Sequence, residues 1–111
     1  MYIPKKGDIV WINFNPQSGR EQAVRRPALV VSLSRYNRLV GLALVCPITT
    51  KFKGFMFEIT IPEELKTSVV VLADRVKSFH YKTRRAEFPC QMPEEILMQV
   101  IIAINRMTRE V

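Results

Sequence analysis

The chain has 111 residues, of which 48% are hydrophobic, and its formal net charge at pH 7 is +7. This length and apolar content suit one domain with a packed core, which we expect over residues 1–111, and they exclude a wholly disordered chain. The basic surplus indicates a polyanionic partner, such as nucleic acid, an acidic protein or an anionic membrane.

The charge is also segregated along the chain. Basic residues predominate between positions 18 and 53 and again between 74 and 87, whereas acids gather at Glu63–Glu64 and Glu94–Glu95. Charge that served solubility alone would be interspersed over the surface. The segregation therefore favours a basic surface that binds a polyanion.

The sequence up to residue 79 is typical of short strands separated by turns. Strands are predicted at Asp8–Asn15, Ala28–Leu33, Gly41–Cys46, Phe55–Ile61, Ser68–Leu72 and Arg75–Phe79. Pro47 is expected to end the third strand, because proline donates no ladder hydrogen bond. A kink at Ala73–Asp74 separates the last two strands, and Arg35–Arg38 predicts a turn or one helical turn.

The sequence after residue 92 predicts a helix. Pro93 suits the first helical position, and Glu94 and Glu95 fall in the first turn, where the helix dipole favours negative charge. A face at helical spacing follows, made of Leu97, Val100, Ile101 and Ile104. Because other sides are apolar too, the helix is either deeply buried or also meets a partner. Short strands followed by one long helix predict a mainly-β α+β fold, a small bent antiparallel sheet or barrel covered by the helix.

Several classes of function lack the residues they need. His80 is the only histidine, and Cys46 and Cys90 are too far apart to form a ligand pair at useful spacing, so no metal or other cofactor is expected. The sequence has no Gly-rich phosphate-binding fingerprint. Cys46 lies in an apolar run and is expected to be a buried free thiol in a reducing compartment, with a disulfide as the alternative.

The sequence also bears on localisation. The opening MYIPKKGD has no apolar signal core, and the longest apolar run, Leu39–Ile48, is too short to span a bilayer. A cytoplasmic protein is therefore expected.

Between the first two predicted strands, Glu21 is a lone carboxylate among Arg20, Arg25 and Arg26. This set suits cleavage of RNA by its own 2′-hydroxyl, which needs a base for the 2′ proton, donors for the charge on phosphorus and a proton for the departing 5′-oxygen. Neither a metal nor an enzyme nucleophile is required. The alternative is a structural ion pair that pins the segment to the sheet.

Three segments, GDIVWINFNPQSGREQAVRRPALVVS, CPITTKFKG and LADRVKS, occur in this order. With their spacing and the PEE-led terminal helix, they resemble the MazF/PemK (Kid) toxins of bacterial toxin–antitoxin systems over nearly the whole chain. The resemblance implies an SH3-like barrel (CcdB/MazF-like) with helices, a homodimer, and metal-independent, sequence-specific cleavage of single-stranded RNA to 2′,3′-cyclic phosphate and 5′-hydroxyl ends. It also implies arrest of translation and growth, neutralisation by an acidic MazE-like antitoxin, and DNA binding by the antitoxin complex.

The resemblance to MazF-type members assigns catalysis to Glu21, Arg26 and Thr49, with Glu21 as the base. Neighbouring arginines would favour its charged form. Because a guanidinium has a pKa above ~12, charge stabilisation is the role expected of Arg26, with water or Thr49 relaying the proton. The Kid branch instead uses an Asp at the position of Asp74, which is the alternative base. That branch has an Arg where this chain has Leu72, so the MazF-type assignment is preferred.

RNA binding is predicted for a larger, mostly cationic set. It comprises Ser18, Arg20, Gln22, Arg25, Thr50, Lys51, Phe52, Lys53, Arg75, Lys77 and Arg84. Arg75 stands where MazF-type members often have Gln, and it can reach either a phosphate or a guanine edge.

Two other functions remain open. One is a non-catalytic nucleic-acid-binding or regulatory module on the same barrel. The other is a CcdB-like topoisomerase poison, which would act through the end of the terminal helix and would not need Glu21, Arg26 or Thr49.

Overall fold

The computed structural model describes residues 2–14, 24–50, 54, 56–61, 69–82 and 86–110. Its elements are, in chain order, β1 (Asp8–Phe14), β2 (Val24–Val30), α1 (Ser34–Val40), β3 (Ala43–Thr49), β4 (Glu58–Ile61), β5 (Val69–Leu72), β6 (Lys77–Phe79), β7 (Glu87–Gln91) and α2 (Glu94–Thr108). The described chain is therefore mainly β with a C-terminal helix, as predicted.

The described strands pair antiparallel in one curled sheet. Their order is β4-β5-β3-β2-β1-β7, and β6 also pairs with β3. β5 and β6 share one edge of β3, where a turn at Ala73–Asp74 separates them and the Arg75 N–H donates to the Leu72 carbonyl at 3.1 Å. The predicted kink and the predicted bent antiparallel sheet are confirmed.

The sheet buries apolar side chains on both faces. We call the side that packs against α2 the helix face; its buried residues include Ile9, Leu29, Cys46, Ile48 and Val71. We call the other side the second face; its buried residues include Val10, Ile12, Ala28, Val30 and Val45, with Phe79 and Tyr81 packed against them. Successive strand residues point to opposite faces, so burial on both sides explains the continuous apolar runs in the sequence.

Gly7 joins the start of β1 to the helix. Its N–H donates to the Val30 carbonyl, and its carbonyl accepts from the Met92 N–H, both at 2.8 Å. With φ of +98°, a Cβ at this position would also lie 3.2 Å from Cδ2 of Leu97. The backbone conformation therefore favours glycine here, and the close approach of Leu97 leaves little room for a Cβ.

A buried polar network anchors α1 to the second face. Asn37 is fully buried, and its Nδ2 donates to the Pro4 carbonyl at 2.8 Å. The Ser32 hydroxyl donates to Oδ1 of Asn37 at 2.5 Å, and the Tyr81 hydroxyl donates to its carbonyl at 2.8 Å. Because buried polar atoms need partners, this network fixes the position of the short helix.

The structure corrects several predicted boundaries. Pro47 lies within β3 and does not end it. On the edge of β3 that pairs with β5 and β6, no pair is formed between Val45 and Ile48, so a residue without an N–H is tolerated there. The segment around Arg35 forms a helix, Ser34–Val40. The fourth strand begins only at Glu58, and β7, Glu87–Gln91, was not predicted.

α2 is buried on one side only. Ile96, Val100 and Ala103 lie in the core on the helix face, with Leu97 and Ile104 partly buried. Met98, Ile102 and Met107 are exposed. Pro93 is the N-cap rather than the first helical residue. No helix in the described part of the chain is long and apolar enough to cross a membrane.

Candidate functional site

Arg25 and Arg26 are neighbours on β2, and they lie on opposite faces of the sheet. In the β1–β2 register Arg25 pairs with Asn13, and Arg26 pairs with Ile12. Paired residues share a face, so Arg26 lies with Ile12 on the second face and Arg25 lies on the helix face. Two arginines from one basic segment thus have different surroundings.

Arg26 and Thr49 share one end of the second face. The β2–β3 register pairs Ala28 with Pro47, and continuing each strand by two residues leads to Arg26 and Thr49. Thr49 ends β3, is half-buried and pairs with Val70, whereas Arg26 is exposed. A guanidinium and a hydroxyl therefore lie on the same face, in the strands that border residues 15–23 and 51–53.

Lys77 adds a second cation to this face. It is exposed and pairs with Val45, which is buried on the second face. Val45 and Thr49 are four residues apart on β3, which corresponds to about 13 Å along a strand. The exposed Thr50 follows directly after β3.

Asp74 and Arg75 are exposed beside the middle of β3, at the turn between β5 and β6. Burial, and then the negative charge of Asp74, raise the pKa of the Cys46 thiol to about 12. Asp74 lies between β5 and β6, which pair with the two halves of β3, the strand that carries Thr49. Cys46 and Cys90 are both free thiols, and Cys46 is buried, as predicted.

Arg25 connects three strands on the helix face. Its Nη1 donates to Oδ1 of Asn13 at 2.9 Å, and its Nη2 donates to the Trp11 carbonyl at 3.1 Å. The same Nη2 forms a salt bridge with Oε1 of Glu87 at 2.5 Å. The RNA contact of Arg25 stays a prediction, but in the structure this guanidinium binds protein acceptors on β1 and β7.

The other predicted site residues lie outside the described residues. They are Ser18, Arg20, Glu21, Gln22, Lys51, Phe52, Lys53 and Arg84. Their roles stay predictions, including that of Glu21 as the base. Within the described ranges, no group of three or more His, Cys, Asp or Glu could hold a metal ion.

Sequence reasoning missed the partners of Arg25. The contact with Asn13 follows once the β1–β2 register is known, because the two residues are a cross-strand pair. No local sequence pattern around Glu87 indicates its contact with Arg25. Glu87 reaches Arg25 only because β7 pairs with β1, and these two strands are separated by most of the chain.

Comparison with known proteins identified both a family and close structural neighbours. Residues 5–108 match the model of the PemK-like, MazF-like toxin of type II toxin–antitoxin systems. The endoribonuclease toxin MazF of Escherichia coli (strain K12) is 38% identical over 104 residues, which are 94% of this chain and 93% of that protein. The endoribonuclease toxin ChpB of the same strain is 33% identical over 107 residues, covering 91% and 90%. Among solved structures, the MazE–MazF crystal structure (Form-II) from Deinococcus radiodurans matches with a TM-score of 0.89 and 44% identity, over 96% of each chain.

Proposed function

The chain belongs to the PemK-like, MazF-like toxins of type II toxin–antitoxin systems, and on that premise we propose that it is an endoribonuclease that cuts single-stranded messenger RNA at specific sequences without a metal ion. Two relatives at 38% and 33% identity carry the name endoribonuclease toxin. Cleavage of mRNA would arrest translation and growth.

The observation that carries this proposal is the shared face of Arg26 and Thr49. A charged guanidinium and a hydroxyl, on adjoining strands and open to solvent on one side, suit a phosphate group. The rigid sheet behind them is an advantage, because stabilisation of developing charge depends on donors that are already in position.

In the proposed reaction the substrate supplies its own nucleophile. Glu21 accepts the 2′ proton while the 2′-oxygen attacks phosphorus, so that the O2′–P bond forms and the P–O5′ bond breaks. Arg26 stabilises the negative charge that builds on the phosphoryl oxygens. The 5′-oxygen takes a proton from water, directly or through Thr49, which leaves a 2′,3′-cyclic phosphate and a 5′-hydroxyl.

Asp74 is the alternative base. Its exposed position beside β3 supports that alternative, because a base must reach the 2′-hydroxyl. Glu21 is preferred on the resemblance to MazF-type members.

RNA would follow the basic residues along the second face. Lys77 and Thr50 extend the surface from Thr49, and Arg75 adds a cation at the turn beside it. We assign further contacts to the predicted residues Ser18, Arg20, Gln22, Lys51, Phe52, Lys53 and Arg84. Phosphate contacts would supply most of the affinity, and base contacts would supply specificity.

The proposed partners follow from the relatives. The Deinococcus radiodurans neighbour was solved as a MazE–MazF complex, and we propose that this chain forms a homodimer neutralised by an acidic antitoxin of the same kind. A net charge of +7 favours both an acidic peptide and RNA. We place the protein in the cytoplasm, with residues 1–111 as one toxin domain, because its substrate is there.

The test is incubation of the purified protein with a long RNA in excess EDTA, followed by mapping of the cut sites and end groups. We expect specific cuts with cyclic phosphate ends, and none in a matched substrate with 2′-deoxy sugar at the scissile position. A magnesium requirement or cleavage of the deoxy substrate would contradict the mechanism. RNA binding without cutting would favour a silent binding module, and inhibition of a topoisomerase would favour a CcdB-like poison.

A further inference from the structure

The salt bridge between Arg25 and Glu87 lies on the helix face, across β1, whereas Arg26 lies on the second face. Arg25 and Arg26 are consecutive, so the backbone that sets the direction of one also sets the direction of the other. Arg25 is held on the helix face by Asn13, the Trp11 carbonyl and Glu87. These contacts of Arg25 therefore restrict the movement of β2 at this end of the sheet, although the Arg25 side chain faces away from the proposed substrate.

The sheet needs such a restraint at this point. The β1–β7 register pairs Ile9 with Cys90 and then Trp11 with Glu87, with a shift between the two pairs. A shift of this kind interrupts the regular ladder of backbone hydrogen bonds. The Arg25 guanidinium bridges the two strands next to the interruption, because it binds both the Trp11 carbonyl and the Glu87 carboxylate.

We infer that Arg25 is a positioning residue for Arg26, held in place by Glu87, and that it does not bind RNA. The inference rests on the proposed function, because it assigns a role in the same site. The side chains of Arg25 and Glu87 are 35% and 75% exposed, and an exposed pair of this kind contributes little to stability. Its effect on rate is larger, since a misplacement of about 1 Å in a catalytic group costs on the order of 10²-fold.

An RNA-binding role and a positioning role of Arg25 predict different results for Glu87→Ala. If Arg25 bound RNA, removal of the neighbouring carboxylate would release the guanidinium and strengthen binding. If Arg25 positions Arg26, removal of the carboxylate lowers kcat. Glu110→Ala is the matched control, because it removes an exposed acid that follows the end of α2 and takes no part in the Arg25–Glu87 salt bridge.

The experiment measures kcat, KM, melting temperature and the salt dependence of binding for Glu87→Ala, Arg25→Ala and the double variant, on an RNA that carries a mapped cut site. We expect each single variant to lose about ten- to hundredfold in kcat, with KM, melting temperature and salt slope near those of the wild type. The double variant should be no worse than the worse single one, since both remove the same interaction. Glu87→Gln keeps an acceptor for Nη2 and should recover most of the loss.

Unchanged kcat in Glu87→Ala, with an active wild type, overturns the inference and leaves the proposed function intact. A salt slope that falls by about one unit in Arg25→Ala would make it a phosphate contact instead. Should Arg25→Ala fail to fold, Glu87→Ala still decides, because the carboxylate is exposed. A wild type that cuts no RNA contradicts the proposed function, and the positioning role falls with it.

Discussion

The two faces of the sheet bury similar numbers of apolar side chains but differ in what covers them. The helix face is covered by α2, and Leu29, Cys46 and Val100 on that side are completely buried. On the second face, Phe79 and Tyr81 pack against the buried strand residues at one end, and the Tyr81 hydroxyl donates to the Asn37 carbonyl of α1. At its other end Arg26 is exposed and Thr49 is half-buried.

This difference separates stability from the proposed activity within one sheet. Side chains on the helix face contribute through apolar burial, whereas the end of the second face presents charge and hydroxyl groups to solvent. Substitutions of buried apolar residues on the helix face and of polar residues at the end of the second face should therefore affect different measurements, and the following experiments test that separation.

The largest effect is expected for Glu21→Gln. Loss of a positioned base costs about 10²–10⁴ in rate, so kcat on a mapped RNA substrate should fall by that factor while the melting temperature is kept. Asp74→Asn, the variant of the alternative base, serves as the control. If Asp74→Asn abolishes cutting and Glu21→Gln does not, Asp74 is the base.

Arg26→Ala should have the next largest effect on rate. Removal of one donor to the developing charge costs about 10²–10³ in kcat, and the exposed side chain leaves no cavity behind. Thr49→Ala should also slow cutting. A melting temperature that falls together with kcat in Arg26→Ala would mean that the second face is structural at this end as well.

Leu29→Ala tests the helix face. Leu29 is fully buried in the cluster that includes α2, and truncation should lower the free energy of unfolding by about 2–5 kcal/mol. Denaturant unfolding measures this change, with Met98→Ala as the control because Met98 is 52% exposed. The rate per folded molecule should stay near that of the wild type; a large loss of rate would show that the buried core of the helix face also sets the rate.

Arg75→Gln should have the smallest and most local effect. If Arg75 contacts a base edge, the change costs roughly 1–3 kcal/mol at one position of the cleavage site and relaxes specificity there. Sequencing of cut ends from total RNA at fixed salt measures the site preference. An unchanged preference with uniformly slower cutting would identify a phosphate contact instead.

The sequence predicted the fold well where the signal was local. Alternation identified β1, the apolar runs identified β2 and β3, and two acids after Pro93 identified α2. The prediction failed where the pairing of strands that are distant in sequence sets the bounds of an element. Pro47 was expected to end β3, but a proline is tolerated where the neighbouring edge is interrupted.

The candidate site was predictable only as a set of residue types. Arg26 and Thr49 are far apart in sequence, and their common face depends on the β2–β3 register. The different surroundings of Arg25 and Arg26 follow from strand geometry, since adjacent residues point to opposite sides. By residue chemistry alone the two arginines belong to one basic group, whereas the strand pairing places them on opposite faces of the sheet.

The pairing of β1 with β7 has a consequence for the order of folding. Asp8 pairs with Gln91, so this contact closes a loop of most of the chain, and contacts of such long range form late because the loop entropy is lost first. During synthesis one edge of β1 stays unpaired until residues 87–91 have been made. A growing chain therefore lacks both the Glu87 contact of Arg25 and the support of α2, and any activity that needs them begins only after these last elements have formed.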